Sequence, residues 1–156
     1  MVLRLAVPQE AEILWNVRNE AIRYGCNTSY AADVIARWTP DAMPERYRQM
    51  VIDNPFYVVE DDKGDIAATG YLDLETNCIE AIFTLPVAFG KGLATQIVDA
   101  LKKEATARGI SRLHLTSTPN AHAFYQKQGF TTLGENLWFS QLAEAELRCF
   151  DMAIDL

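Results

Sequence analysis

The sequence holds few of the residues that ligate metals or cross-link chains. Its three cysteines, Cys26, Cys78 and Cys149, are widely spaced, and its only histidines are His114 and His122. There is no CxxC and no Cys/His cluster at metal-ligand spacing, which argues against a zinc site and a disulfide scaffold. The cysteines read as reduced thiols of a cytoplasmic protein, and neither histidine is placed to activate one as a nucleophile. No apolar run approaches the ~20 residues that span a bilayer. Arg4, Glu10 and Glu12 interrupt the first apolar stretch, so no signal peptide is legible. Repeats and low-complexity tracts are missing too. Positive charge is scarce: 14 Lys and Arg face 21 Asp and Glu, for a net charge of −7. An acidic chain repels phosphate backbones, which argues against a nucleic-acid partner. Any anionic cofactor must therefore be held by local donors.

What is present is the mixture of a globular domain. Apolar residues make up 49% and charged residues 22% of 156 positions, enough for one domain over 1–156 with a core of its own. Val2–Val7 alternates as a strand. Helical spacing follows to about Tyr24, over Ala31–Trp38 and over Pro44–Ile52. Phe56–Glu60, Ile66–Leu74 and Cys78–Leu85 read as a three-strand meander with polar turns between. Gly90–Arg108 is the clearest helix, with Leu93, Ile97, Leu101 and Ala105 on one face and Gly109 as its stop. Leu113–Ser117 is a strand, Thr118–Gln128 a helix, and Phe130–Phe139 and Glu146–Ile154 two last strands. This order predicts an α/β (α+β) domain on one mixed sheet with helices on both faces.

The segment Ile82–Thr95 carries the main chemical signal. An apolar strand runs into Pro86, then a turn with Gly90 and Gly92 opens the long helix. The first amides of a helix lack intrahelical partners, and with the macrodipole they attract anions. Glycine at 90 and 92 lets the backbone approach a phosphate, and Lys91 adds a cation. Neither common nucleotide loop fits. Leu93 follows Gly92 where a P-loop needs Lys and Ser or Thr, and no third glycine completes a dinucleotide fingerprint.

Two motifs together give a resemblance. Gly92 and Ala94 match the last fixed positions of Gln/Arg-x-x-Gly-x-Gly/Ala, the acetyl-CoA motif of the GNAT superfamily of N-acetyltransferases, with Phe89 standing where Gln or Arg is usual. Downstream, Asn120, Ala123, Phe124, Tyr125, Lys127, Gly129 and Phe130 resemble that family's segment of approximate form Asn-x-x-Ala-x-x-Phe-Tyr-x-x-x-Gly-Phe, in which the Asn or first Ala is variably placed. The resemblance runs from about Ile66 to the C-terminus and only loosely covers the first helices.

The resemblance implies a largely antiparallel sheet, splayed between Cys78–Leu85 and Leu113–Ser117. The pantetheine arm of acetyl-CoA would lie in that gap against the backbone of Ile82, Phe83 and Thr84. The pyrophosphate would meet the amides of Gly90, Lys91, Gly92, Leu93, Ala94 and Thr95. Asn120, Phe124 and Lys127 would contact the cofactor, and Tyr125 would serve as the acid for the departing thiolate. Glu80, facing away from Ile79 and Ala81, is the candidate base, beside a base made of waters. Tyr24, Tyr30 and Trp38 are candidate walls for an amine acceptor. The reaction implied is direct attack by a primary amine of a small molecule or peptide, with no metal. Homodimers are common in the family, which makes a second copy of the chain a candidate partner. Phe89 keeps a second reading open, a non-catalytic acyl-CoA-binding or regulatory domain.

Overall fold

Alternation along the strands and helical periodicity between them sort this chain into cores on the two sides of one sheet. The computed structural model describes all of residues 1–156. Strand β1 (Val2–Leu5) precedes helices α1 (Ala11–Gly25), α2 (Ala32–Trp38) and α3 (Glu45–Asp53). The meander β2 (Phe56–Glu60), β3 (Ile66–Asp73) and β4 (Cys78–Thr84) follows. Helix α4 (Leu93–Ala107), strand β5 (Arg112–Ser117), helix α5 (His122–Lys127) and the hairpin β6 (Thr131–Ser140) and β7 (Ala145–Asp155) complete the chain.

The seven strands lie in the order β1-β2-β3-β4-β5-β7-β6. Every neighbouring pair is antiparallel except β4 and β5. On one face α4 and α5 cover a core that includes Leu72, Ile79, Leu113, Met152 and Phe130. On the other, α1 and α3 bring Leu14, Trp15, Tyr47 and Val51 onto Phe56, Val58 and Tyr71. A smaller cluster joins Ile22, Cys26, Ile35 and Trp38 to Ala143 and Leu147.

The elements follow the expected order, with boundaries moved for local reasons. Helix α4 starts at Leu93 and not at Gly90, because Gly90 (φ +80°) and Gly92 (φ +76°) are left-handed and cannot belong to a right-handed helix. Its N-terminus has no side-chain cap, a device worth ~1 kcal/mol. Leu93, Ile97 and Leu101 are buried and supply ~1.5–3 kcal/mol each, which outweighs the missing cap. The helix expected from Thr118 divides into a 3-10 turn over Pro119–Ala121 and then α5.

Candidate active site

The sheet opens at its centre. Strands β4 and β5 are paired only at Cys78 and His114, where the His114 amide donates to the Asn77 carbonyl at 3.1 Å. Beyond that point the two strands diverge, and the β4 edge facing the gap is left with backbone groups to satisfy. A bulge in β4 shapes this edge. Ala81 sits at φ +54°, and the register against β3 skips between Thr69 and Tyr71. A side-chain-bearing residue in that conformation costs ~1–2 kcal/mol, so the packing around it must hold it there. Opposite it, a Cβ on Gly70 would lie 2.4 Å from Ile82 Cδ1 and 2.6 Å from Ile97 Cγ2.

The bulge resets the alternation of the strand. Ile79 and Ile82, three residues apart, both pack on the α4 side, while Ala81 and Phe83 pack toward α1. Strict alternation expects Ala81 beside Ile79, and the extra residue overturns that. Glu80 pairs in register with Tyr71, which belongs to the α1-side core.

The gap widens into a cleft of about 1190 Å³. Ile82, Phe83 and Thr84 line one wall, and Thr116, Asn120, Phe124 and Tyr125 the other. At one end lies the glycine turn. The amides of Gly90, Lys91 and Gly92 donate to no protein acceptor, and those of Leu93, Ala94 and Thr95 open the helix without intrahelical partners. A Cβ added at Gly90 or Gly92 would meet nothing within 4 Å. The turn is therefore an open cradle of donors. The Thr95 hydroxyl accepts from Gln128 Nε2 at 3.2 Å, tying the start of α4 to the end of α5.

Two ionisable groups stand in the cleft in perturbed states. Burial, reinforced by the charge of Asp73, pushes the Glu80 carboxyl up to about 7. Burial also raises the Tyr125 phenol, and the Glu80 carboxylate adds to that push. The Tyr125 hydroxyl makes no hydrogen bond to protein, while its ring packs edge-on against Phe124 at 5.1 Å and Phe130 at 6.0 Å. Neither group is engaged by another part of the protein.

The remaining expected residues fall in different places. Asn120 spans from the 3-10 turn to the end of α1, where its Oδ1 accepts from Ser29 Oγ at 3.4 Å and Cys26 Sγ at 3.5 Å. Tyr30 and Trp38 line the cleft, edge-on to each other at 5.7 Å. The Tyr30 hydroxyl donates to the Arg148 carbonyl at 2.7 Å. Tyr24 does not join them. It is 59% exposed at the last turn of α1 and packs on Phe89, ring centroids 5.3 Å apart. The helical phase turns Tyr24 away from Ile22, which faces the cleft. Lys91 and Lys127 are both exposed, on the turn and in the last turn of α5, and neither lines the cleft.

Sequence reasoning passed over Arg18, Tyr47 and Tyr71, which line the cleft from α1, α3 and β3. One signal was available for Arg18: it occupies a position on the apolar face of α1, where an arginine needs a reason. No group of three His, Cys, Asp or Glu side chains is close enough to hold a metal ion. No helix is long and apolar enough to cross a membrane.

The same sheet and helices recur in solved acetyltransferases. The structure superposes on the GCN5-related N-acetyltransferase (class-II aminotransferase) from Rhodopseudomonas palustris with a TM-score of 0.90 at 21% identity, over 99% of this chain and 95% of that one. It matches a phosphinothricin acetyltransferase from Sinorhizobium meliloti in complex with acetyl-CoA at a TM-score of 0.73 and 20% identity, over 99% and 88% of the two chains. The PaiA N-acetyltransferase from Thermoplasma acidophilum, in complex with coenzyme A, gives 0.73 at 16% identity over the full length of both. Among curated proteins none matches the sequence. Residues 26–156 match the acetyltransferase (GNAT) domain, and the chain belongs to that family.

Proposed function

We propose that the protein is an acetyl-CoA-dependent N-acetyltransferase that carries an acetyl group to a primary amine by direct attack in a ternary complex. The observation that carries the reading is the splayed β4–β5 pair, which ends in a cradle of amides without protein acceptors and holds Glu80 and Tyr125 in one cleft. The free amides from Gly90 to Thr95 suit a pyrophosphate, with Lys91 and Lys127 in reach of solvent-side phosphates. The bare β4 edge at Ile82, Phe83 and Thr84 suits an extended arm that pairs like a strand. Asn120 and Phe124 face that arm from the other wall. Acetyl-CoA supplies the activated acyl group as a thioester.

Glu80 takes the proton of the incoming ammonium. An alkylammonium near pKa ~10.4 gives its proton to a carboxylate near ~4.3 at a cost of about 8 kcal/mol, and to one near 7 at about 5. Burial of Glu80 thus removes a large part of that cost. The raised Tyr125 phenol stays protonated. It stabilises the departing thiolate as a hydrogen-bond donor while the second proton shed by the acylated nitrogen passes to that sulfur, since full transfer from the phenol to a thiolate of pKa ~8.5 would run uphill. An amide near Phe83 supports the developing oxyanion, and Tyr30 and Trp38 wall the acceptor. The test is release of the coenzyme A thiol with and without a panel of amines. Amine-dependent release supports the enzyme. Acetyl-CoA binding with no release would favour the non-catalytic reading that Phe89 suggests.

A further inference from the structure

The chain has nine arginines. Seven are ion-paired to a carboxylate. The two that are not, Arg18 and Arg46, both line the cleft. Arg46 is exposed, as an unpaired surface arginine ordinarily is. Arg18 is different, being only 8% exposed.

The guanidinium of Arg18 is half satisfied. Its Nη1 donates to Asn19 Oδ1 at 2.7 Å and to the Trp38 carbonyl at 3.0 Å, and its Nε and Nη2 have no protein acceptor. The planar group lies 4.2 Å over the Trp15 ring and 5.9 Å from that of Trp38. Those contacts hold it flat but do not neutralise it. Its neighbour Tyr47 offers no relief, since that hydroxyl is buried without any partner. A buried charge of this kind is costly unless something pairs with it. Burial lowers the Arg18 guanidinium only to about 10, so it keeps its charge at neutral pH. The one carboxylate lining the cleft is Glu80, and it pairs with neither arginine.

We infer that the unpaired Nε–Nη2 edge of Arg18 is the binding site for a carboxylate of the acceptor, so the acceptor is a small amino-carboxylic acid whose amine is presented to the acetyl donor. A guanidinium edge takes a carboxylate through two parallel hydrogen bonds. Trp15, Trp38 and Tyr71 flank the space with apolar surface suited to the carbon skeleton between the two ends. The net charge of −7 would by itself favour a cationic acceptor. The cleft departs from that global field, with two arginines to one carboxylate. This inference rests on the acetyltransferase reading of the same cleft.

The test uses matched primary amines: α-amino acids of varied side chain, their decarboxylated amines and their amides. Each is titrated by calorimetry into the whole protein, with and without coenzyme A, and assayed with acetyl-CoA. At least one amino acid should bind ten times or more tighter than both its amine and its amide. Arg18→Met should erase that ratio, while Arg18→Lys should retain part of it. Equal binding across every set, no binding by any member, or a ratio that survives Arg18→Met would each overturn the assignment. If the Arg18 variants fold poorly, Arg46→Met decides: a ratio kept in that variant leaves Arg18 as the cleft's remaining unpaired arginine, and a ratio lost there overturns the assignment. Acetyl-CoA titrated into the same protein separates the two levels: its failure to bind sinks the acetyltransferase reading, whatever the carboxylate result.

Discussion

Gly70 and Ile82 approach each other across the β3–β4 bulge so closely that a single methyl group on Gly70 would stand 2.4 Å from Ile82 Cδ1. The bulge and its glycine form one device. Ala81 leaves the strand's plane, Ile82 swings onto the α4 core, and only a residue without a side chain leaves room for it.

Gly70→Ala should therefore destabilise the fold by about 1–3 kcal/mol through overpacking against Ile82 and Ile97. Adding Ile82→Val removes the nearer methyl and should recover part of the loss, with the Ile97 clash at 2.6 Å remaining. Denaturant midpoints of the wild type and the two variants measure this. A Gly70→Ala protein as stable as wild type would show that the two strands have slack.

Glu80 gives a pH signature in both stability and rate. Its folded carboxyl is raised from 4.5 to about 7, so the folded state holds the proton more tightly than the unfolded chain does. That stabilisation is complete below about pH 4.5 and is lost as the pH rises through about 7. Glu80→Gln should thus stabilise the protein by up to about 3 kcal/mol at pH 8 and by almost nothing at pH 4. The rate of acetyl transfer should rise through about pH 7 in the wild type. In Glu80→Gln that limb should vanish, with a rate loss on the order of 10²-fold. Unfolding curves at the two pH values and a pH–rate profile check the two halves separately.

At the glycine turn, charge and strain are separable. Gly92→Ala and Gly92→Glu share the strain of a left-handed residue, roughly 1 kcal/mol, and neither Cβ meets an obstacle within 4 Å. Only the glutamate adds a negative charge beside the free amides. Acetyl-CoA affinity by calorimetry should survive Gly92→Ala nearly intact and fall by ~10²-fold or more in Gly92→Glu, about 3 kcal/mol. Equal affinity in the two variants would move the pyrophosphate elsewhere.

Tyr125→Phe deletes one hydroxyl that bonds to no protein atom, so the fold should not notice. Acetyl transfer should slow by ~10²-fold with acetyl-CoA affinity unchanged, the pattern of an interaction made only in the transition state. A fully active variant would remove Tyr125 from the leaving-group role.

The elements were legible because their periodicities are clean. Leu93, Ile97 and Leu101 announce a helix as plainly as Leu113 and Leu115 announce a strand. The glycine turn and the Asn120–Phe130 segment were legible as chemistry because each needs particular residues at fixed spacing. The bulge was not, since nothing in Cys78–Leu85 distinguishes Ala81 as left-handed. The room for that bulge comes from Gly70, which is eleven residues away in the chain and adjacent only in the sheet. Tyr24 and Arg18 show the same limit. Both sit on α1, and which of them faces the cleft depends on where β4 and α2 place themselves against that helix.

The lone Cys78–His114 joint has a consequence for how the chain assembles. On one side, β2, β3 and β4 can zip together through short turns. On the other, β6 closes on β7 by a hairpin and β5 then joins β7. The β2–β3–β4 meander and the β6–β7 hairpin are contacts near in sequence, which form fast; β5 reaches β7 across α5 and β6, and the step that unites β4 with β5 requires only one strand pair. The opening between β4 and β5 thus also spares the chain the slow closure of a long parallel ladder.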